Sequence, residues 1–174
     1  MSANIDPIYV RQVIGDIVDT ITPCINMKVY IDGRQIINGC TIKPSIAIVP
    51  PQIRFEGQAE RLYTLLLTDP DMPSPSNPTL REYIHWIVTD IPGSGAINQG
   101  NEILPYEPPT PIRGYHRYIL MMFEQMTPLG LLSPPLTRAH FDHKTFVWRH
   151  QLGVPKAIAY FWAKKEPGQG RQDP

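Results

Sequence analysis

The sequence lacks several features that whole classes of protein require. No stretch has the roughly 20 consecutive apolar residues that span a bilayer, and residues 1–7 carry neither a basic flank nor an apolar signal core. With 16 basic and 16 acidic residues the chain has no net charge, so it lacks the basic surface that nucleic-acid binding needs. These absences predict an intracellular protein without a transmembrane segment that does not bind nucleic acid directly.

Cysteine is scarce, and no catalytic signature is present. Cys24 and Cys40 form no Cys-x-x-Cys pair and lie far in sequence from any histidine at zinc spacing. We expect both to be small core residues in a reducing compartment. There is no Gly-x-Ser-x-Gly elbow and no cysteine with an obvious base, so the residues favour neither an enzyme nor a bound cofactor.

Proline, in contrast, is abundant. The chain has 20 prolines among 174 residues, and they are spread between apolar runs rather than concentrated in one place. This distribution is typical of a mainly β domain with rigid loops. The length suits one domain, which we expect over residues 1–167, with 168–174 as a disordered tail.

Hydrophobic patterns predict the strands and helices. Alternating residues from Ile25 to Ile31, followed by the turn pair Asp32-Gly33, predict a β-hairpin. Further predicted strands cover residues 52–55, 62–68, 84–89, 118–123 and 157–163. The strands at 62–68, 84–89 and 118–123 are apolar on both faces and should be central. Helices are predicted from Asp6 to before Pro23, and after the capping residue Asp142.

Ionisable side chains stand at the ends of the three predicted central strands. Asp69 and Asp71 follow one strand, His85 begins the next, and His116 precedes the third. If the strands are neighbours, these side chains converge at one rim of the sheet. A carboxylate favours a protonated imidazole, which donates to phosphate-like oxygens from both nitrogens. Tyr118 would add a hydroxyl donor.

Other interpretations of these histidines remain open. Each group could instead cap its own loop, and His85, His116 and Asp69 could form a two-histidine, one-carboxylate metal site. A second group, His140, His143 and His150, lies around the predicted second helix. For that group we expect a solvated helix face rather than a metal site.

Two motifs carry a family resemblance over nearly the whole chain. Asp69-Pro70-Asp71-Met72-Pro73-Ser74 and Gly114-Tyr115-His116-Arg117 resemble the signatures of the phosphatidylethanolamine-binding protein (PEBP) family. The run from Leu80 to Trp86 and the run Thr89-Asp90-Ile91-Pro92-Gly93 resemble its plant branch, which contains Flowering Locus T, Terminal Flower and Mother-of-FT. Tyr83 is typical of Flowering Locus T, whereas the segment from Pro128 to Phe141 and the run Lys165-Glu166-Pro167 resemble Mother-of-FT, which we favour.

The resemblance implies a fold, a pocket and a role. The fold would be a large antiparallel sheet flanked by a smaller sheet and short helices. An anion pocket for a phosphate or phospholipid head group would be lined by Asp69, Asp71, His85, Pro109, His116 and Tyr118. The role would be that of a non-enzymatic, monomeric developmental regulator in the cytoplasm and nucleus, acting with bZIP transcription factor complexes. The alternative is a phosphate-ligand sensor acting through a kinase or another partner independently of 14-3-3 adaptors.

The resemblance also marks positions that set partner specificity. Besides Tyr83, these are Glu60, Arg61, Pro92 and Gln99. Glu60 stands where florigen-type members have an arginine, and Gln99 where they have an aromatic residue. Because charge-assisted contacts contribute roughly 1.5 to 3 kcal/mol each, we expect 14-3-3 binding to be weak or absent.

Overall fold

Two antiparallel sheets form the framework of the fold. The computed structural model describes residues 13–19 and 24–168. Within them, the strands are β1 (Met27–Ile31), β2 (Arg34–Gln35), β3 (Gln52–Phe55), β4 (Leu62–Asp69), β5 (Tyr83–Pro92), β6 (Asn101–Leu104), β7 (His116–Gln125) and β8 (Ala157–Ala163). The large sheet has the order β6-β5-β4-β7-β8 and the small sheet the order β2-β1-β3. The predicted mainly β class is confirmed.

The central strands are β5, β4 and β7, as their apolar sequences predicted. Alternate residues of β4 face opposite sides of the large sheet, so Leu65 and Leu67 enter one core cluster and Leu66 enters another. The first cluster lies between the two sheets, because it includes residues of β1 and β3 such as Val29 and Phe55. Among the strands of the described residues, β6 alone is not predicted, since four residues on a sheet edge give little hydrophobic pattern.

The hairpin between β1 and β2 forms where the turn pair predicted it. Asp32 and Gly33 have φ angles of 52° and 72°, the left-handed pair that a two-residue hairpin turn requires. Asparagine, aspartate and glycine tolerate this conformation best. The local sequence therefore determines this connection.

The first predicted helix is wrong over the residues that the structure describes. Residues 6–12 and 20–22 lie outside them. Over 13–19 the chain forms a turn in which the Gly15 N–H donates to the Val18 carbonyl over 2.7 Å. Gly15 has a φ of 95°, which a helix does not allow. The apolar positions Val13, Ile17 and Val18 are nevertheless buried.

The second predicted helix is confirmed as α1 (His143–Arg149). Asp142 caps it, because its Oδ1 atom accepts from the Thr145 backbone N–H over 3.2 Å. The expected exposure of His143 is wrong: its side chain is 5% exposed, and Nδ1 lies 2.6 Å from Oε2 of Glu82. The first helical residue turns back onto the sheet, where the buried Glu82 carboxylate needs a donor.

The remaining predictions about the fold concern the cysteines, membrane-spanning helices and the C-terminal tail. Cys24 is exposed and Cys40 is half-buried, so the prediction that both are core residues is wrong for Cys24. No helix in residues 13–19 or 24–168 is long and apolar enough to cross a membrane. The tail predicted at 168–174 lies, from residue 169, outside the described residues.

Candidate ligand-binding site at one rim of the large sheet

The sheet register brings four of the predicted site residues together. Strand β4 ends at Asp69, which pairs with Tyr83 at the start of β5, while Thr68 pairs with Ile119 near the start of β7. Asp69, His85, His116 and Tyr118 therefore converge at one rim, and all four are fully buried. The end of β4 provides Asp69, β5 provides His85, and alternate positions of β7 provide His116 and Tyr118.

His116 and Asp69 form a charged pair. The His116 Nδ1 atom lies 2.7 Å from Asp69 Oδ2, and His116 Nε2 lies 2.8 Å from the Arg113 carbonyl oxygen. Both partners are acceptors, so both ring nitrogens must carry hydrogen. Burial alone lowers the pKa of His116, but the hydrogen bond and charge of Asp69 outweigh it and raise that pKa above its usual value. His116 is thus an imidazolium whose donors are both used within the protein.

His85 has the opposite protonation state. Burial lowers its pKa below the usual value, and its Nδ1 atom lies 2.7 Å from the Glu107 carbonyl oxygen. The neutral ring must donate from Nδ1 to that carbonyl, which leaves a lone pair on Nε2. The expectation that both histidines donate to a ligand as imidazoliums is therefore wrong for the structure as it stands.

Two polar atoms of the cluster have no hydrogen-bond partner in the protein. Among buried side-chain polar atoms of the described residues, only His85 Nε2, Tyr118 Oη and Thr89 Oγ1 have none. Two of the three belong to this rim. Tyr118 Oη lies near the Asp69 carboxylate and the Thr110 backbone but meets hydrogen-bond geometry with neither. Burial, reinforced by the Asp69 carboxylate, raises the pKa of Tyr118, so its hydroxyl stays protonated. An unpaired buried group costs roughly 1–3 kcal/mol, which a hydrogen-bonding ligand could recover.

Aromatic contacts hold the two atoms in place. The Tyr118 ring stacks on Phe161 with centroids 5.3 Å apart, and lies parallel to His116 at 6.4 Å. His85 meets the Tyr118 ring edge-on at 5.3 Å. Such contacts restrict side-chain rotation, so His85 Nε2 and Tyr118 Oη cannot readily turn toward another hydrogen-bond partner in the protein.

One loop, residues 105–115, covers the cluster, and we call it the rim segment. Its Glu107 and Arg113 carbonyls accept from the two histidines, and its Glu107 N–H donates to the His85 carbonyl over 2.9 Å. Pro109 is buried within it and contributes no donor. Because the site atoms are fully buried, a ligand can reach them only if part of the surrounding structure moves, and the rim segment is the candidate that contacts both histidines.

Asp71 lies in a second charged cluster. Its carboxylate accepts from the backbone N–H, Nε and Nη2 of Arg117 over 2.8, 2.9 and 2.8 Å. Arg117 also contacts Asp16 at 2.8 Å. Successive residues of a strand point to opposite faces, so Arg117 faces away from His116. Arg117 is a site residue that the strand-end pattern does not predict, although the alternation of β7 places it on the face opposite His116.

The predicted partner-specificity residues are divided between the two ends of the large sheet. Tyr83 lies at the rim, where its hydroxyl donates to the Glu107 carboxylate over 3.1 Å. Leu62 pairs with Pro92, which puts the exposed Glu60 and half-buried Arg61 at the opposite end. Arg61 lies 3.7 Å from Glu124 there.

Gln99, the fifth partner-specificity position, is an exposed residue of a 3-10 helix.

The alternative of a metal site at the rim finds little support in the geometry. In the part of the chain that the structure describes, no group of three or more histidine, cysteine or acidic residues is arranged to hold a metal ion. Neither nitrogen of His116 is free for a metal.

Comparison with family models gives a match over residues 27–162 to the phosphatidylethanolamine-binding protein family. The chain belongs to this family. It is 43% identical to "Protein MOTHER of FT and TFL1 homolog 2" of Oryza sativa subsp. japonica, over 99% of this chain and 100% of that protein. It is 40% identical to "Protein FLOWERING LOCUS T" of Arabidopsis thaliana, over 98% of each chain. The resemblance to the plant branch is thus confirmed.

Solved structures agree on the fold. A phosphatidylethanolamine-binding protein from Plasmodium vivax superposes with a TM-score of 0.72 at 20% identity, covering 85% of this chain and 89% of that one. A carboxypeptidase Y inhibitor, solved with its cognate proteinase, gives 0.73 at 21% identity, covering 83% and 85%. At these identities the likeness concerns the fold alone.

Proposed function

We propose that this protein is a non-enzymatic developmental regulator of the plant type whose rim cluster binds a phosphate or phospholipid head group. The observation that carries the ligand site is the pair of unpartnered buried atoms, His85 Nε2 and Tyr118 Oη. The full-length similarity to Mother-of-FT and Flowering Locus T proteins supports the regulatory role. Asp69, His116 and Pro109 shape the site, whereas Asp71 supports it from the opposite face.

The two free atoms select a particular ligand chemistry. Tyr118 offers a hydroxyl donor and His85 offers an acceptor lone pair. A singly protonated phosphate complements both, because one oxygen accepts and another donates. An ethanolamine phosphate head group does the same, with its ammonium as the donor. A fully ionised phosphate would require His85 to gain a proton.

Affinity for the head group alone should be modest. A phosphate of about five heavy atoms gains at best roughly 1.5 kcal/mol per atom, which corresponds to micromolar binding. Opening the rim segment would weaken it further. Tight recognition would therefore need additional contacts from acyl chains or from a protein partner.

The regulatory output would come through protein partners, including complexes with bZIP transcription factors in the cytoplasm and nucleus. The exposed Glu60 and Gln99 leave the end of the sheet opposite the rim without the cation and the aromatic residue of florigen-type proteins. We therefore expect little 14-3-3 binding. The second candidate is a phosphate-ligand sensor acting through a kinase or another partner, which the buried rim cluster would also serve.

Titration calorimetry with phosphoethanolamine tests the ligand site. The wild type should bind with a dissociation constant between about 1 µM and 1 mM, and His85→Ala should lose at least about tenfold in affinity. His150→Ala is the matched control, because His150 is a partly exposed histidine at the end of α1 and lies outside the cluster. Equal affinity in wild type and His85→Ala would contradict the proposed site.

Affinity capture from plant extract with mass spectrometry separates the two candidates. If the pocket serves the regulatory role, His85→Ala should recover a different set of partners from wild type, whereas His150→Ala should not. Recovery of transcription factor complexes supports the first candidate, and recovery of a kinase without them supports the second. An unchanged set from His85→Ala would show that regulation does not depend on the pocket.

A further inference from the structure

Arg138 connects its own loop to strand β5 and to the rim segment. It belongs to the loop between β7 and α1, residues 126–142, which we call the outer segment. Its Nη1 atom donates to the carbonyls of Ile84 and His85 over 3.2 and 2.9 Å. Its Nη2 atom donates to the Pro105 carbonyl over 2.8 Å, and Nε lies 2.8 Å from the Glu107 carboxylate.

All three guanidinium nitrogens are thus engaged at the rim. Two contacts reach the rim segment, at Pro105 and Glu107, and two reach the β5 backbone, at Ile84 and at His85 itself. The planar guanidinium fixes the relative positions of these groups, which a lysine ammonium could not do with one nitrogen. The side chain is 22% exposed, so solvent screens these contacts only partly.

Glu107 is the group through which Arg138 acts on the site. Its carboxylate accepts from the Tyr83 hydroxyl and pairs with Arg138, while its backbone bonds both the carbonyl and the Nδ1 atom of His85. A ligand that lifts the rim segment from His85 must move Glu107. Moving Glu107 disturbs Arg138, and the Arg138 carbonyl in turn accepts from the Ile84 N–H over 2.9 Å.

We infer that Arg138 is a positioning residue that couples occupancy of the rim site to the conformation of the outer segment. The inference rests on the proposed ligand site and deepens it. Coupling is reciprocal, so any partner that holds Arg138 in place changes ligand affinity, and ligand changes affinity for that partner by the same factor. The outer segment exposes large apolar side chains, with Leu131 92% exposed. A partner that contacts these side chains would bind differently to different conformations of the segment.

Hydrogen exchange with inorganic phosphate as the probe tests the coupling. Phosphate bound to wild type should change amide exchange in the rim segment and also in residues 138–141, where the His140 and Phe141 N–H groups bond Leu80 and Glu82. In Arg138→Ala, the change should remain in the rim segment and disappear from residues 138–141. Arg149→Ala, at an exposed arginine at the end of α1, should behave as wild type.

The ligand-free variants give a second readout. Arg138→Ala should speed exchange of the Glu107 amide about tenfold or more, because it loses charge-assisted bonds to the rim. Arg138→Lys should restore little of this. If Arg138→Ala does not fold, Glu107→Gln replaces it, since it removes the ion pair but keeps an acceptor for Tyr83, and it should reduce the response of residues 138–141 at least twofold.

The outcomes distinguish the coupling from the ligand site. Phosphate binding without any change at residues 138–141 of wild type would overturn the coupling and leave the site intact. An undiminished response in Arg138→Ala or in Glu107→Gln would also overturn it. Failure of wild type to bind phosphate at all would overturn the ligand site and the coupling together.

Discussion

The Nδ1 atom of His116 lies 2.7 Å from Oδ2 of Asp69, and both side chains are fully buried. The remaining Asp69 oxygen accepts from the Asp71 N–H over 2.7 Å. One carboxylate thus fixes the charge of the imidazolium and the turn that follows β4. The pair organises the site but has no donor to spare for a ligand.

Removing the carboxylate should destabilise the fold strongly. Asp69→Asn leaves the buried imidazolium without its counter-charge, and breaking a buried pair in this way typically costs about 3–5 kcal/mol. Urea denaturation measures the change in the free energy of unfolding. Asp19→Asn, at an 83% exposed carboxylate that pairs with Lys144, should change it by less than about 0.5 kcal/mol. Equal effects of the two substitutions would contradict the pair's structural role.

The pair should also give stability a characteristic pH dependence. The raised pKa of His116 means that its contribution is fully present below the unfolded value of about 6.5 and is lost as pH rises through the folded value. The difference in unfolding free energy between wild type and Asp69→Asn should therefore shrink as pH increases above about 6.5. A difference that grows with pH would mean that His116 is neutral.

His85 should show the reverse behaviour. Its lowered pKa keeps the ring neutral in the folded state, so the unfolded state takes up the proton first as pH falls below about 6.5. Stability linked to His85 is therefore lost on acidification until the folded value is passed. NMR titration of the imidazole resonances should find His116 protonated and His85 neutral at pH 6.5; the opposite order would refute this assignment.

Tyr118→Phe should separate ligand binding from stability. It keeps the ring contacts with His116 and Phe161 but removes a hydroxyl that has no partner. We expect phosphate affinity to fall about tenfold, while stability stays the same or rises by about 1 kcal/mol. In the control Tyr63→Phe, the lost hydroxyl accepts from the Gln58 N–H, so stability should fall by about 1 kcal/mol and binding should not change. A loss of stability in Tyr118→Phe would show that its hydroxyl is bonded in solution.

Asp71→Asn should have the opposite profile. It weakens the buried pair with Arg117, which should cost about 3–5 kcal/mol of unfolding free energy. Because Asp71 faces Arg117 rather than the rim cluster, phosphate affinity should stay within about twofold of wild type. Calorimetry on the folded variant, at a temperature well below its unfolding midpoint, checks this. A large loss of affinity with little loss of stability would place Asp71 in the ligand site instead.

The sequence predicted the frame of the site better than its chemistry. Strand ends at Asp69, His85 and His116 could be read from apolar runs, because a strand buried on both faces leaves a continuous hydrophobic signal. The protonation states could not be read, since they depend on the carbonyls of Glu107 and Arg113 in a proline-rich loop. Backbone acceptors are present at every residue, so no side-chain pattern identifies which of them contacts a histidine.

Two further failures have the same kind of cause. The pairing of Asp71 with Arg117 required knowing that the second carboxylate crosses to the other face of the sheet, which the motif alone does not indicate. Helical spacing predicts an exposed face for His143, but His143 is the first residue of α1 and turns back to Glu82. Tertiary contacts at element ends thus override local periodicity, most of all where a buried carboxylate needs a donor.

The most direct measurement is NMR of the His85 ring nitrogens during titration with phosphate. If the rim cluster binds the ligand through the free lone pair, the Nε2 resonance should shift in a saturable way, and the shift should be much smaller in Tyr118→Phe at the same phosphate concentration. Saturable binding elsewhere on the protein, with Nε2 unchanged, would contradict the central claim that this buried atom is part of the ligand site.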